Sequence, residues 1–368
     1  MSTKISYTVV GQTLNEWYQL IKLNNIKKAQ IMREEIKKSL THMEENEKII
    51  VYFNLIDSRY KLMKENYNDS GKLLRDLEQR ALEESTDDMI QYYFYFFTGM
   101  CYFYENDFIE AINSYKIAQQ NLDKVPDKKE KAEFHYQLAV AYYQMHQNIF
   151  SLNHAEQALG FYSSMNGFSY KLSLTKMVIA HNKLDLHQYN AAESLFKESI
   201  MIASKADEKY AEALGNYNLG ICYERQEKLD LAKDCFIRAL GYEESNQVQT
   251  KLRAAYMLSR VLFKLNYHQE AQEWYTKAKE YAQQLNNHTY LAKLSIIYSI
   301  YKEVNESLLD MNLATLKKAQ LWSDVSELSI NAARYFKKKD CLKLASKYFD
   351  EGLIARDKIQ AWTEELNS

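Results

Sequence analysis

The 368-residue chain contains one proline, Pro126, and only nine glycines. Hairpins, phosphate-cradling loops and long irregular connections draw on those two residue types, so their scarcity leaves helices as the default. The strings GxxxxGK[ST], GxGxxG and GxSxG are absent, which removes the usual signatures of nucleotide hydrolysis and serine-hydrolase chemistry. Cysteine is sparse: Cys101, Cys222, Cys235 and Cys341 form no CxxC pair, so neither a disulfide framework nor a zinc site is indicated, and buried reduced thiols are expected. Histidines form no HExxH motif, and His181 and His187 sit on different helix faces; no metal and no cofactor is expected. A formal net charge of −2 lacks the strong basic balance of a nucleic-acid binder, so no direct nucleic-acid contact is expected. No run approaches the ~20 apolar residues that span a bilayer, and no leader pattern opens the chain, which predicts a soluble cytoplasmic protein without membrane contact.

Aromatic residues, by contrast, are abundant: 30 tyrosines and 15 phenylalanines can fill the layers between helices, and 26% charged residues can solvate the outer faces. A small residue is followed by Ala or Ser twelve positions on, an aromatic or Ala four further, and a small residue three beyond that. The pattern reads Gly99, Ala111, Tyr115, Ala118; Ala139, Ser151, Ala155, Ala158; Ala180, Ala192, Phe196, Ser199; Gly220, Ala232, Phe236, Ala239; and Ser259, Ala271, Tyr275, Ala278. After a degenerate unit near 290–320 it returns as Ala333, Ala345, Phe349, Gly352. Small residues at these places let two antiparallel helices approach closely while the aromatic fills the gap to the next hairpin. Units repeat about every 40 residues, longer than the ~34 of a tetratricopeptide repeat. The fold class read from this is all-α: a tetratricopeptide-type right-handed solenoid over 89–368, whose concave face is the place for a polypeptide ligand.

Residues 1–66 lack the signature and read as three amphipathic segments, 9–24, 26–43 and 48–66, which predicts an N-terminal three-helix bundle. The polar stretch 67–88, with Gly71 and a short helical pattern, reads as a linker. Lys27, Lys28, Arg33, Lys37 and Lys38 form a basic stretch on the second segment, interleaved with Glu34 and Glu35, as a solvated face would be.

This organisation, with the strings LNEWY (14–18), MEEN (43–46), YYFYFFTGM (92–100), EKAEFHYQLAVAYY (130–143) and YNLGIC (217–222), resembles the Rap family of Bacillus. The resemblance implies a cytoplasmic quorum-sensing regulator in a sporulation or competence pathway. Its partners would be a bacterial response regulator, held by its receiver or its DNA-binding domain, and a short secreted and re-imported Phr-type peptide that inhibits it. In the family a glutamine in the turn between the second and third bundle helices orients water for attack on the receiver's aspartyl phosphate. A neutral amide suits that task because it both accepts and donates. Here the turn reads Met43, Glu44, Glu45, Asn46, Glu47, Lys48, and Glu47 holds the glutamine position. An ionised carboxylate cannot donate, and it meets a phosphoryl group and an acidic receiver pocket with like charge. Sequestration therefore ranks above dephosphorylation, with Glu44, Glu45 and Asn46 as response-regulator contacts and Glu47 the nominal catalytic position.

The resemblance also places the peptide contacts: Asp185 for a basic side chain of the peptide and Asn218 for its backbone, with Asn182 on a shared face. Lys293, Tyr217 and Tyr256 fall in groove phase. Two other functions compete. A peptide-gated transcription factor would need a positively charged helix-turn-helix, which 1–66 lacks. A passive tetratricopeptide adaptor would hold a constitutive partner with no switch.

Overall fold

The computed structural model describes residues 4–23, 25–64, 66–81, 87–242 and 248–365, and these contain eighteen α-helices, one 3₁₀ turn and no strand longer than an isolated bridge. Two compact units divide between Gln144 and Met145. The first holds α1 (Tyr7–Lys22), α2 (Ile26–Leu40), α3 (Glu47–Met63), α4 (Tyr67–Ala81), α5 (Asp88–Tyr104), α6 (Phe108–Gln119), the 3₁₀ turn Leu122–Lys124 and α7 (Lys128–Gln144). The second holds α8 (Asn148–Ser163), α9 (Ser169–Asp185), α10 (Tyr189–Lys205), α11 (Lys209–Arg225), α12 (Leu229–Leu240), α13 (Val248–Lys264), α14 (His268–Gln284), α15 (His288–Tyr301), α16 (Glu306–Lys318), α17 (Trp322–Lys338) and α18 (Leu342–Glu365).

Helices α1 to α3 fall on the three amphipathic segments. Trp17 of LNEWY is fully buried, stacks on Phe53 and donates its indole N–H to the Ala29 carbonyl at 2.9 Å, so one side chain ties all three helices together. Much of the stretch expected to be a linker is helical: α4 buries Ser70, Leu74 and Leu77, spaced i, i+4, i+7, against its neighbours. Ser70 donates to the Ser58 carbonyl at 2.9 Å and Tyr67 stacks on Tyr104, so α4 packs between α3 and α5 as part of the first unit. Pro126 stands in the short connection before α7, where its neighbour Val125 takes the extended backbone that a following proline requires.

The small-residue register becomes helix contact. A Cβ on Gly99 would lie 2.6 Å from the Tyr115 ring, and one on Gly220 would lie 2.6 Å from the Phe236 ring. Each aromatic thus sits on the bare backbone of the preceding helix, with Ala111, Ala118, Ala232 and Ala239 buried around it. In the second unit α9 pairs with α10, α11 with α12, α13 with α14, α15 with α16 and α17 with α18, which is a helical solenoid. The degenerate unit is α15–α16, where α15 has 14 residues against 17 in α9, α11, α13 and α17. There Asn312 bridges the hairpin by donating to Ser295 Oγ at 3.0 Å.

Glycine's scarcity is met at the turns by other residues. Asn106, His146, His187, Asp207, Glu227, Asn266, Asn286, Gln320 and Asp340 all have φ between 49° and 64°. Most follow a helix C-terminus and close it by backbone bonds, as where Gln188 N–H reaches the Lys183 carbonyl at 2.8 Å.

Candidate functional site

Two surfaces carry the residues singled out above. The first is the turn between α2 and α3. Met43 is buried and forms a backbone bridge with Ile5, which fixes the turn, while Glu44, Glu45 and Glu47 are exposed. Asn46 is the N-cap of α3, its side-chain oxygen accepting from Ile49 N–H at 3.2 Å. Glu47 is therefore the first residue of α3, where the helix dipole favours an anion, and Arg80 Nε lies 3.9 Å from it. The turn presents three carboxylates, and its one amide, Asn46, has its oxygen engaged in capping α3. In the neighbouring basic stretch Arg33 is held by Asp57 through two bonds and Lys37 lies 3.6 Å from Glu34, which leaves Lys27, Lys28 and Lys38 as its exposed cations.

At the C-terminal end of α1 lies a buried polar network, which residue patterns alone did not reveal. Glu130, fully buried on α7, accepts from Tyr18 Oη at 2.9 Å and from Tyr92 Oη at 3.3 Å. Lys22 Nζ reaches Glu130 at 3.2 Å and Asp127 at 2.8 Å, and its ammonium lies 4.5 Å from the centre of the Tyr18 ring. Burial pushes the Glu130 carboxyl up, and Lys22 and Tyr18 only partly offset it; at Asp127 burial pushes the same way but Lys22 prevails and holds the carboxyl low. Arg59 of α3 sits 3.8 Å from Glu133. The strings LNEWY and EKAEF thus meet in space, Tyr18 of one bonded to Glu130 of the other, and this contact seats α1 and α3 on α5 and α7.

The second surface belongs to the second unit. Asp185, at the end of α9, accepts from Arg225 Nη1 at 2.6 Å and is 17% exposed, so a protein cation already occupies it. Asn182 is fully buried, its amide donating to Ser151 Oγ and to the Val178 carbonyl, both at 2.8 Å, while its side-chain oxygen has no partner. Asn218 is 5% exposed and donates to Met177 Sδ at 3.5 Å. It also interacts with His181, whose pKa burial pushes down to about 4. The three groove residues therefore lie on adjoining helices, but Asn182 and Asn218 face the packing between helices more than open solvent. Tyr256 is buried against Tyr290, Tyr217 packs on Phe236, and Lys293 pairs with Asp324 at 2.6 Å.

Next to them is a chain of charge on α11, α13 and α17, buried at Glu224 and Arg260 and exposed at Glu327. Arg260, 2% exposed, lies between Glu224 at 3.2 Å and Glu327, and Lys264 closes on Glu224. Partial burial pushes the Glu327 carboxyl, 44% exposed, up, yet Arg260 outweighs it and holds it down to about 2. Arg260 Nε has no partner. A cleft of about 1150 Å³ adjoins this chain, lined by Arg225, Lys228, Lys264, Tyr301, Asn331, Arg334, Tyr335 and Lys337 to Lys339 among others. Cys101, Cys222 and Cys235 are buried as expected, but Cys341 is exposed. Among the described residues no His, Cys, Asp and Glu group could hold a metal, and no helix is long and apolar enough to cross a membrane.

Residues 4–65 match the family described as response regulator aspartate phosphatase H, N terminal, and 214–246 and 252–285 match the tetratricopeptide repeat. The regulatory protein RapG of Bacillus subtilis (strain 168) is 31% identical over 97% of this chain and 98% of its own. The chain belongs to the Rap family. Response regulator aspartate phosphatase I of the same strain is 30% identical over 97% of this chain and 93% of its own. Among solved structures, a Rap protein complexed with competence and sporulation factor aligns over 96% of this chain and 99% of its own, with a TM-score of 0.87 and 28% identity. In this Rap chain the match over 4–65 covers the acidic turn and Tyr18, and the repeat matches cover Asn218 and the buried charge chain as far as Lys264.

Proposed function

We propose that this Rap protein is a peptide-gated quorum-sensing regulator that binds and inhibits a response regulator, and that it does so by holding its partner without dephosphorylating it. The observation that carries the reading is the α2–α3 turn: three exposed carboxylates stand there, and Glu47 is the first residue of α3, at the position where the resemblance puts the family's water-positioning amide. Its acidic character suits a basic surface such as the DNA-binding domain of a response regulator, and disfavours the carboxylate-lined pocket of a receiver. Glu44, Glu45 and Glu47 make the contact and Asn46 sets its geometry by capping α3. Peptide binding to the second unit, around Asp185, Asn182 and Asn218, biases the seat of the bundle on α5 and α7 and so releases the partner. The protein acts in the cytoplasm and needs neither cofactor nor direct contact with nucleic acid.

Charge reversal at the turn tests this reading. Glu44→Lys with Glu45→Lys should weaken complex formation with the cognate response regulator at least tenfold, in isothermal titration, while the melting temperature stays within a few degrees. Equal affinity in the reversed variant would remove the turn from the interface.

A further inference from the structure

The second unit holds another hollow, of about 420 Å³, between α10 and α12 with α11 beneath, and it shares no lining residue with the cleft at α17. From α11 it takes Asn216, Leu219 and Tyr223, which lie roughly 140° around that helix from Asn218 and Arg225, so the hollow opens away from the groove. Its floor is apolar: Leu219 is 5% and Cys235 1% exposed, with Ile200 beside them. Met201 and Leu231 stand at its edge and are exposed.

The two ends of the hollow differ in charge. At one, Lys197 is matched by Glu193 at 2.7 Å, and Glu193 also accepts from Tyr223 Oη at 3.0 Å. At the other stand Lys205 and Arg238, in the last turns of α10 and α12. Both are exposed, and neither has a carboxylate within 4 Å among the described residues. Arg238 is turned inward, its Nε donating to the Asp234 carbonyl at 3.3 Å and its Nη2 reaching Cys235 Sγ at 3.9 Å, so the guanidinium lies over the floor. Asn216 uses one of its two amide N–H donors on the Glu212 carbonyl at 2.9 Å and lines the hollow with the other.

We propose that this hollow binds a small amphipathic carboxylate, an aliphatic acid of medium chain length. Its carboxylate sits between Lys205 and Arg238, and its chain runs over Leu219 and Cys235 toward Leu231. From Arg238 back to Leu231 is roughly 10 Å along α12, which sets the chain length. The volume lies within the ~300–1,000 Å³ of small-molecule sites, and an apolar floor with a few convergent polar groups is their usual lining. Cations in the last turn of a helix also answer its dipole, but that role does not require Arg238 to lie over an apolar floor. The proposal is independent of the peptide-binding reading. An occupant touching both α10 and α12 would hold two successive hairpins at one spacing.

The test uses the full-length protein with methyl-labelled methionine, the Met201 resonance being assigned by Met201→Leu. The probe is decanoate below its micellar concentration, with decanol and decyltrimethylammonium as uncharged and cationic controls. Decanoate should shift the Met201 methyl resonance saturably and bind at least fivefold tighter than either control. Lys205→Glu with Arg238→Glu, both at exposed positions, should weaken decanoate at least fivefold while the melting temperature stays within a few degrees. Lys205→Arg, which keeps the charge, should preserve binding. Equal affinity for decanol, or indifference to the double reversal, would show an apolar surface without a carboxylate site and overturn the proposal. No saturable shift at Met201 would overturn it too. Saturable binding of an acidic amphipathic helical peptide, with none of decanoate, would make the hollow a protein-docking surface and overturn the small-molecule assignment.

Discussion

At the scale of single residues, small side chains are placed by contact and not by helix propensity. A Cβ at Gly220 would meet the Phe236 ring at 2.6 Å, whereas one at Gly160, an exposed position of α8, meets nothing within 4 Å. Both substitutions to alanine gain helix propensity worth about 1 kcal/mol. Gly160→Ala should keep that gain, while Gly220→Ala should lose about 1–2 kcal/mol net because the ring must shift in a packed layer. Paired urea melts decide it, and equal stabilisation by both would refute the packing account. The register was legible in sequence because a size limit imposed every 40 residues leaves a periodic trace. The fate of Asn218 was not, since its partner Met177 lies 41 residues away and no local pattern records it. Nor was the pairing of Asp185 with Arg225, 40 residues apart. Cys341 falls outside the expected burial because it follows the left-handed turn residue Asp340 at the exposed end of a hairpin.

At the scale of elements, polarity misled over 67–88. The stretch is rich in charge, yet Ser70, Leu74 and Leu77 give α4 a narrow buried stripe, enough for a helix that packs on one side only. The bundle's three helices were readable from their own periodicity, but their seat on α7 was not, because it is made by buried polar groups that hydrophobic patterns ignore. Lys22 neutralises Asp127 and Glu130, the latter fully buried. Lys22→Met keeps the apolar stem and removes the charge, which should cost about 3 kcal/mol by leaving a buried carboxylate unpaired. Hydrogen exchange should accelerate in α1 before it does in α5. Adding Glu130→Leu should recover much of the loss; no recovery would mean that Lys22 acts through packing alone.

At the scale of the whole molecule, the chain carries two chemistries on separate units. The first unit presents an acidic turn that an N-cap and a backbone bridge hold in place. The second presents a groove whose charges are compensated around α13. Regulation by holding a partner needs only the first surface and a way for the second to bias it. Catalysis would need in addition a group that both donates to and accepts from water, and Glu47 cannot do both while ionised. The most direct measurement follows the aspartyl phosphate of the cognate phosphorylated response regulator in the presence of the protein and of its Glu47→Gln variant. The account predicts a stable complex with phosphate retained for the unaltered protein and accelerated phosphate loss for the variant. Rapid phosphate loss with Glu47 in place would contradict it.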